Sequence, residues 1–340
     1  MILVTGGAGY IGAVAVRELL DKGFAVRVLD KFLYGEHSLE DIRHQVEIVE
    51  GDICALDDAV LDGVTGVIHL AGLSNDPTAE FNPEANRRMN TVATGALAEA
   101  CKRKGISRFV FASSCSVYDR GLMAEDTLQD EDSAVEPRAA YATSKFEAER
   151  LLLDLADDTF HPAILRQGTV YGWSPRMRYD LVVNTFVKCA FETGKLTVHC
   201  GGEMWRPLVD VTDVAKCYLV CLQADPAAVG GAIFNLSYKN FRILELAHWV
   251  KKALEGLVDV DIEVEYGSQR GRSYRVSTRK IETALGFRPQ ISVEDSARDM
   301  AAKVQAGVDA DFADPKYYNI RWLELLTEIQ AHLKRLGSIF

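Results

Sequence analysis

Short apolar runs alternate along the first half of the chain with longer segments whose apolar residues recur at helical spacing. Residues 1–5 form one apolar run, residues 13–22 follow with helical spacing, and the next apolar run covers residues 24–29. A run of this length is typical of a buried strand, and the segment after it is typical of a crossover helix. The same alternation predicts strands at 46–50, 66–70 and 108–112, and helices at 84–105 and 141–155. The pattern therefore predicts an α/β protein with a parallel sheet.

The pattern is less regular after residue 172. The expected elements are a helix that opens within 175–180 and runs to about 191, a helix capped by Thr212, a strand at 232–236, a helix at 243–254, a strand at 259–265, a helix with Ser292 and Asp295 in a capping box, and an amphipathic helix at 319–336. We expect two interleaved lobes rather than two domains in succession. The first is a nucleotide-binding domain of residues 1–172 with 208–240 returning to it, the second a smaller substrate-binding lobe of residues 173–207 and 241–315, and residues 316–340 are a C-terminal helix.

A glycine-rich turn joins the first predicted strand to the first predicted helix. Gly6 permits a tight turn, Gly9 lets the backbone approach a pyrophosphate, and Gly12 lets the helix pack closely on the strand. A plain strand–helix turn would also be rich in glycine. The context of strand, turn and helix favours a Rossmann-type dinucleotide site, in which the helix N-terminus faces the phosphates.

Acidic residues after the second and third predicted strands refine this prediction. Asp30 ends the second apolar run, where a carboxylate holds the adenosine ribose hydroxyls and repels a 2′-phosphate. NAD is therefore favoured over NADP, although the cation Lys31 follows directly. Asp52 is placed to meet the adenine amino group or to be a simple turn residue. Small residues after the fourth strand, Ala71 and Gly72, leave room for a cofactor to cross the strand end.

Composition excludes several classes of function. The 340 residues are 48% hydrophobic and 26% charged, with a net charge of −11, which argues against nucleic acid or an anionic membrane as a partner. No run of apolar residues is long enough to span a membrane, and the first strand leaves no room for a signal peptide. The seven cysteines are odd in number and lack a Cys-x-x-Cys pair, which fits a reducing cytoplasm. The histidines show no metal-ligand spacing, so we expect no metal.

Candidate chemistry follows the fifth predicted strand. Four hydroxyl groups cluster at the carboxyl end of that strand, where ligands bind in open α/β sheets: Ser113, Ser114, Ser116 and Tyr118. Further on, Tyr141 and Lys145 share one face of a helix. A neighbouring ammonium, helped by an oxidised nicotinamide, favours the phenolate and lowers the pKa of the tyrosine.

Taken together, these motifs resemble those of extended short-chain dehydrogenases/reductases of the nucleotide-sugar epimerase/dehydratase type, over nearly the whole chain. The matching motifs are Thr5-Gly6-Gly7-Ala8-Gly9-Tyr10-Ile11-Gly12, Gly51-Asp52-Ile53, His69-Leu70-Ala71-Gly72, Asn90, Tyr141-x-x-x-Lys145, Arg166-x-x-x-x-Tyr171-Gly172 and Arg206-Pro-Leu-Val-Asp-Val-Thr-Asp213. The resemblance implies NAD as cofactor, a nucleotide-diphosphate sugar as substrate, and Ser114, Tyr141 and Lys145 as the catalytic residues. The predicted cofactor-binding residues are Gly6, Gly9, Tyr10, Ile11, Gly12, Asp30, Lys31, Asp52, Ile53, Leu70, Ala71, Gly72, Asn90 and Lys145.

Arginines concentrate in the second lobe of this acidic protein. A single arginine there is readily explained as solvated surface charge. Arg206 is different, because the family pattern places an arginine at that spacing to hold the substrate diphosphate, and a planar guanidinium suits that ligand. We expect Arg270 or Arg275 to add a second contact. The predicted substrate-binding residues are Ser74, Asn75, Ser116, Thr169, Arg178, Asn184, Arg206, Arg270 and Arg275. Thr169 and Ser277 stand where many relatives have Asn and Asp.

These residues predict a UDP-glucose 4-epimerase-like enzyme that oxidises the sugar transiently at C4. The alternatives are a 4-dehydrogenase or 4-ketoreductase, and a non-catalytic NAD-binding module. Related 4,6-dehydratases carry an Asp-Glu pair directly after the residue that Ser114 matches, whereas this chain has Cys115 and Ser116 there. Cys115 is then a small apolar filler or a participant in the chemistry. Helices 86–104 and 141–155 are apolar on two stripes, which predicts a homodimer through a four-helix bundle.

Overall fold

The structure, a computed structural model, describes residues 1–119, 127–267 and 272–337. The strands in these residues are β1 (Ile2–Thr5), β2 (Val26–Asp30), β3 (Glu47–Glu50), β4 (Gly66–His69), β5 (Arg108–Ser114), β6 (Leu128–Gln129), β7 (His161–Gln167), β8 (Thr169–Tyr171), β9 (Lys195–Val198), β10 (Trp205–Asp210), β11 (Ala232–Leu236), β12 (Lys239–Arg242), β13 (Asp261–Val264) and β14 (Arg275–Val276). The helices are α1 (Tyr10–Asp21), α2 (Asp76–Phe81), α3 (Pro83–Arg87), α4 (Ala93–Arg103), α5 (Ala140–Leu155), α6 (Val182–Thr193), α7 (Val211–Gln223), α8 (Pro226–Val229), α9 (Ile243–Ala253), α10 (Arg279–Leu285), α11 (Val293–Gln305) and α12 (Asn319–Leu336).

A parallel sheet of seven strands forms the centre of the molecule, in the order β11-β7-β5-β4-β1-β2-β3. Alternate residues along each strand enter different cores, because successive side chains of a strand point to opposite faces. Val4 packs in the core that includes α1 and α7, and Leu3 in the core that includes α4 and α5. The sheet is thus covered on both faces, as in a doubly wound α/β fold. Its order reverses beside β1, and such a switch point opens a crevice at the carboxyl ends of the strands.

The chain leaves this sheet after β7 and returns to it for β11, which pairs with β7 in parallel register. Between these strands, β10 pairs with β8 in parallel and then with β12 antiparallel, which makes a separate three-stranded sheet. β9 pairs with β13, and β6 pairs with β14. The predicted strand at 232–236 is confirmed and joins the main sheet, whereas residues 208–210 and 239–240 belong to the three-stranded sheet.

Two local predictions are wrong. The helix expected to open within 175–180 begins only at Val182, as α6. The helix expected at 84–105 is present, with a π-turn at Arg88–Val92 between α3 and α4. This turn contains Asn90, whose amide bonds a neighbouring loop, and π-turns often lie at functional sites. The cap of α7 is Asp210 rather than Thr212, because its carboxylate accepts from the Thr212 backbone N–H at 2.7 Å.

The terminal helix α12 begins beside the main sheet. The indole of Trp322 donates to the carbonyl of Leu33, in the loop after β2, at 2.5 Å. Asn319, the first residue of α12, is only 3% exposed. The first turn of α12 therefore lies at the carboxyl ends of the strands of the main sheet, next to the loop that follows β2.

Candidate active site

The glycine-rich turn between β1 and α1 tolerates no side chain at two of its positions. A Cβ added to Gly6 would lie 2.7 Å from the backbone nitrogen of Ala71, and Gly6 has a positive φ of +73°. A Cβ on Gly12 would lie 2.1 Å from the carbonyl oxygen of Gly6. Both contacts are closer than real Cβ atoms approach, so this turn needs glycine for its shape. The cradle fits a pyrophosphate at the N-terminus of α1.

A single cavity runs from this turn along the carboxyl ends of the central strands. The cavity is lined by all of the predicted cofactor-binding residues except Asn90: Gly6, Gly9, Tyr10, Ile11, Gly12, Asp30, Lys31, Asp52, Ile53, Leu70, Ala71, Gly72 and Lys145. Tyr141 also lines it. Residues that the family pattern assigns to cofactor and to catalysis therefore share one cleft, which fits NAD.

Asp30 is hydrogen-bonded to the backbone of the glycine-rich turn. Its two carboxylate oxygens accept from the backbone N–H groups of Ala8 and Phe32, at 2.9 and 2.8 Å. Burial raises the pKa of this carboxyl, and the two hydrogen bonds oppose the rise. The neighbouring ammonium of Lys31 is occupied by an ion pair of 2.7 Å with Asp52. Lys31 is thus neutralised, which removes the main reason to expect a 2′-phosphate there.

Cofactor preference should follow from Asp30. We expect NAD to bind cofactor-free protein roughly a hundredfold more tightly than NADP, because a carboxylate beside a 2′-phosphate costs several kcal/mol. Calorimetric titration with both dinucleotides measures the ratio. Asp30→Asn should lower the ratio of NAD affinity to NADP affinity. Asp21 is an exposed carboxylate of α1, and Asp21→Asn should leave that ratio unchanged. Tighter binding of NADP by the unaltered chain would contradict the prediction.

Asn90 departs from the predicted set, because it does not line the cavity. Its side chain is fully buried and is used by the protein itself. Oδ1 accepts from the Leu73 backbone N–H at 2.9 Å, and Nδ2 donates to the Leu73 carbonyl at 2.9 Å and to Asn86 at 2.8 Å. Asn90 holds the loop after β4 in place, including Gly72, where a Cβ would lie 2.3 Å from its Oδ1.

Tyr141, Lys145 and Ser114 come together where β5 ends against α5. Ser114 is the last residue of β5, and its side chain hydrogen-bonds Tyr141. The Lys145 ammonium lies 6.0 Å from the centre of the Tyr141 ring and 4.8 Å from that of Phe111. The two α5 residues are both buried, at 9% and 5% exposure.

The ionisation of this pair differs from the expectation drawn from sequence. Burial raises the pKa of Tyr141, and the negative charge of Asp76 adds to the rise, while Arg178 and the Ser114 hydrogen bond oppose it. Burial lowers the pKa of Lys145 to about 8, against the charge of Glu149. Without cofactor, the loss of water around the phenol therefore outweighs the help of neighbouring cations.

Sequence reasoning missed a second set of polar residues beside Tyr141. Arg272 forms an ion pair of 2.5 Å with Asp76, and its Nε lies 3.6 Å from Asp119. Three buried side-chain atoms here have no hydrogen-bond partner among the described residues: Asp76 Oδ1, Arg272 Nη1 and Ser116 Oγ. Buried polar atoms are rarely left unpartnered, because the loss of hydration is costly. This group of residues near Tyr141 is therefore suited to a polar ligand with both donors and acceptors.

The predicted phosphate-binding arginine lies in the same region. Arg206 donates to the carbonyls of Trp205, at 2.7 Å, and of Arg272, and its guanidinium lies 5.5 Å from the centre of the Tyr274 ring. Burial and the charge of Arg272 lower its pKa. Arg275 lies with its guanidinium 4.9 Å from the Trp205 ring. Arg270 falls outside the described residues.

The remaining predicted substrate residues are divided between the cleft and the scaffold. Ser74 lines the cofactor cavity and accepts from Asn319 at 2.8 Å. Arg178 lines it too, paired with Asp180 at 2.8 Å. Asn75 caps α2 through the Thr78 N–H at 3.0 Å. These contacts place Ser74 and Arg178 at the dinucleotide end of the cleft.

Asn184 is part of the scaffold in this structure, and the substrate contact expected of Thr169 stays a prediction. The Asn184 side chain is fully buried, accepts from the Gly172 N–H at 3.0 Å and donates to the Arg178 carbonyl at 2.9 Å. Its amide oxygen and nitrogen are hydrogen-bonded within the protein, which is at odds with a contact to the substrate. Thr169 begins β8, opposite Leu208 of β10.

A buried ion pair joins α5, the helix of Tyr141 and Lys145, to β7. Glu149 of α5 and Arg166 of β7 pair at 2.6 Å, with side chains 1% and 3% exposed. Glu149 also accepts from Ser113, and Arg166 donates to the Tyr118 hydroxyl at 2.8 Å. The Cys115 thiol donates to the Arg166 carbonyl at 2.9 Å, and burial raises the pKa of that thiol. Cys115 is thus a neutral buried residue of this network.

Comparison with known proteins is consistent with this site. Residues 2–237 match the sequence pattern of the NAD dependent epimerase/dehydratase family. The chain is 30% identical over 311 residues to a dTDP-glucose 4,6-dehydratase of Streptomyces niveus, covering 86% of this chain and 89% of that protein. It is 26% identical over 312 residues to UDP-glucuronic acid decarboxylase 1 of Arabidopsis thaliana, covering 88% of this chain and 69% of that one.

Solved structures agree. MoeE5 in complex with UDP-glucose and NAD superimposes with a TM-score of 0.77 at 26% identity, covering 90% of this chain and 99% of that one. The UDP-glucose 4-epimerase of Thermotoga maritima has a TM-score of 0.77 at 22% identity, with the same coverage, which is a likeness of fold. Within the described residues, the helices fall short of the length and apolar character needed to span a bilayer.

Proposed function

This chain belongs to the NAD-dependent epimerase/dehydratase family, and we propose that it is a nucleotide-sugar epimerase that oxidises its substrate transiently at C4. The observation that carries the proposal is that Tyr141 and Lys145 line the cavity that begins at the glycine-rich turn, with Ser114 next to the Tyr141 hydroxyl. Arg206 and Arg272 supply cations beside it, which suit a diphosphate. MoeE5, with a similar fold, has been solved with UDP-glucose and NAD.

The residues of the cleft have separate tasks in this reaction. The glycine-rich turn and Asp30 hold NAD, which when bound supplies the hydride acceptor for C4. Tyr141 takes the proton of the 4-hydroxyl and later returns it. Ser114 donates a hydrogen bond to the same oxygen. Lys145 places a positive charge beside the phenol, which favours its ionised form.

The carboxylates near Tyr141 argue against a 4,6-dehydratase. Elimination of water between C5 and C6 needs an acid and a base in addition to Tyr141. In the positions that related dehydratases use, this chain has the buried thiol of Cys115 and the hydroxyl of Ser116. Asp76 and Asp119 both contact the Arg272 guanidinium, which suits them to hold that arginine rather than to serve as the missing acid and base.

A panel of UDP-, GDP-, CDP- and dTDP-sugars tests the proposal. Sugars that raise the unfolding temperature of NAD-loaded protein are incubated with it, and the products are identified by NMR. An epimerase gives inversion at C4 without a second redox substrate, whereas a 4-dehydrogenase or 4-ketoreductase gives net change in the cofactor absorbance. Failure of every sugar to alter that absorbance, even transiently, would favour a non-catalytic NAD-binding module.

We expect the product to keep its C6 oxygen and to gain no deuterium at C5 in heavy water. Cys115→Ala should retain much of the activity, since the thiol is neutral and hydrogen-bonded within the protein. Cys101→Ala, another fully buried cysteine, controls for lost packing. A 4-keto-6-deoxy product, or solvent deuterium at C5, would instead identify a dehydratase or a 3,5-epimerising enzyme and make Cys115 a candidate base.

We also propose that the protein is a homodimer through α4 and α5. These helices pack together on one face of the main sheet, and beside that contact Val92 and Leu151 are 50% and 39% exposed. Light scattering at micromolar concentration should give twice the chain mass. Leu151→Glu should shift the mass toward the monomer, and Leu333→Glu on α12 should not. A monomer for the unaltered chain would refute this proposal.

A further inference from the structure

Arg176 is a buried cation in the wall of the cofactor cavity. Its side chain is 3% exposed and lines the same cleft as the glycine-rich turn. The guanidinium lies 3.9 Å from the centre of the Tyr34 ring, a second residue of that wall. Just before it, Ser174 donates to the carbonyl of Tyr10 at 2.6 Å. This bond ties the segment that carries Arg176 to the first residue of α1, where the phosphates of a dinucleotide lie.

The charge of Arg176 lacks a carboxylate partner among the described residues. Its Nη2 donates to Asn319 Oδ1 at 2.6 Å and to the Lys316 carbonyl at 3.3 Å, and both acceptors are neutral. Nε and Nη1 make no hydrogen bond within the described part of the chain. Nearby Arg178, by contrast, is fully paired with Asp180 through two bonds.

A buried cation without an anion is costly, and proteins keep one where a ligand supplies the anion. Burial and the charge of Arg178 lower the pKa of Arg176 to about 10, so the group remains charged at neutral pH. In a site for a dinucleotide, two anions are available in principle: the pyrophosphate and, in NADP, the 2′-phosphate. Asp30, which lines the same cavity, disfavours the second.

We propose that Arg176 binds the pyrophosphate of the dinucleotide, in addition to the glycine-rich turn. Tyr34 and Asn319 are positioning residues, because one stacks on the guanidinium and the other fixes its Nη2. Asn319 also donates to Ser74 Oγ at 2.8 Å. The first turn of α12 is therefore part of the cofactor site. This inference rests on NAD binding and is independent of the sugar chemistry proposed above.

Calorimetry on cofactor-free protein tests it with NAD, ADP-ribose and adenosine. Arg176→Gln should raise the dissociation constants of NAD and ADP-ribose by roughly 30-fold or more, the usual cost of removing one partner of a buried charged contact. Adenosine, which lacks phosphate, should bind as before. Arg321→Gln removes an exposed charge from the first turns of α12 and should change none of the three. Unchanged binding of ADP-ribose to Arg176→Gln would overturn the proposal.

Unfolding measurements separate binding from a structural role. Cofactor-free Arg176→Gln should be at least as stable as the unaltered protein, since an uncompensated charge has been removed, while its stabilisation by NAD should shrink. Equal losses of stability with and without NAD would instead make Arg176 structural and refute the proposal. Asn319→Ala should raise the dissociation constants of NAD and ADP-ribose by a smaller factor than Arg176→Gln does. A loss confined to NADP would assign Arg176 to the 2′-phosphate and likewise contradict the pyrophosphate assignment.

Discussion

Replacing Tyr141 by Phe should reduce turnover by roughly 10²–10⁴, the usual contribution of a positioned acid or base. The phenol is buried, and its hydroxyl is hydrogen-bonded by Ser114 at the end of β5. Phenylalanine keeps the ring and its packing but can neither accept nor return a proton. Affinity for the sugar nucleotide should hardly change, because we propose that the arginines, and not Tyr141, bind the diphosphate.

The measurement is the rate at saturating substrate, with the dissociation constants of NAD and of the sugar nucleotide determined separately. Tyr171→Phe is the matched control, since it removes a hydroxyl that donates to the Ile291 carbonyl at 2.7 Å, and Tyr171 is buried without lining the cofactor cavity. Near-normal turnover of Tyr141→Phe would show that another group handles the proton.

Arg206→Ala should weaken sugar-nucleotide binding by about 2–5 kcal/mol, because it removes one partner of a buried contact between a cation and the diphosphate. Arg206 shares this region with the like charge of Arg272. Arg272 is paired with Asp76, whereas Arg206 donates to the neutral carbonyls of Trp205 and Arg272. A diphosphate would therefore supply an anion to the buried guanidinium of Arg206.

The distinguishing result is an increase in the dissociation constant for the sugar nucleotide without an equal change for NAD. Arg242→Ala is the control: it removes an exposed cation from the neighbouring strand β12, where Arg242 pairs with Glu203 at 2.5 Å. If both ligands were weakened equally by Arg206→Ala, the arginine would be acting on the fold, and the assignment to the diphosphate would be wrong.

The sequence was most informative where function depends on near neighbours in the chain. The glycine-rich turn, Asp30 and the pair Tyr141 and Lys145 are each defined by short spacings that set a turn or one helix face. Residues at such spacings remain neighbours in the folded turn or helix, so the sequence alone shows that they lie together. The main sheet was predictable for the same reason, since each strand and its crossover helix leave a local pattern of apolar residues.

The residues that the sequence did not reveal are brought together only by the tertiary fold. Asp76 and Arg272 are far apart in the chain, and in the sequence Asp76 looks like an ordinary residue at the start of a helix. Asn90 and Asn184 show the reverse, because the structure uses the amide of a residue predicted to bind a ligand for hydrogen bonds within the protein. The pattern of α12 predicts an apolar face but not its neighbour, so Asn319 in the cofactor wall was unforeseen.

The late return of β11 to the main sheet has a consequence for how this chain folds. During synthesis, β7 is complete at Gln167, but its edge partner β11 begins only at Ala232. The chain between them contains β10, which carries Arg206, and α7, which covers one face of the sheet. Contacts that close such a long loop form late, since the entropy of closure must be met first. β10, which bears Arg206, therefore leaves the ribosome before the main sheet is finished, and we expect the three-stranded sheet and the main sheet to complete their folding together.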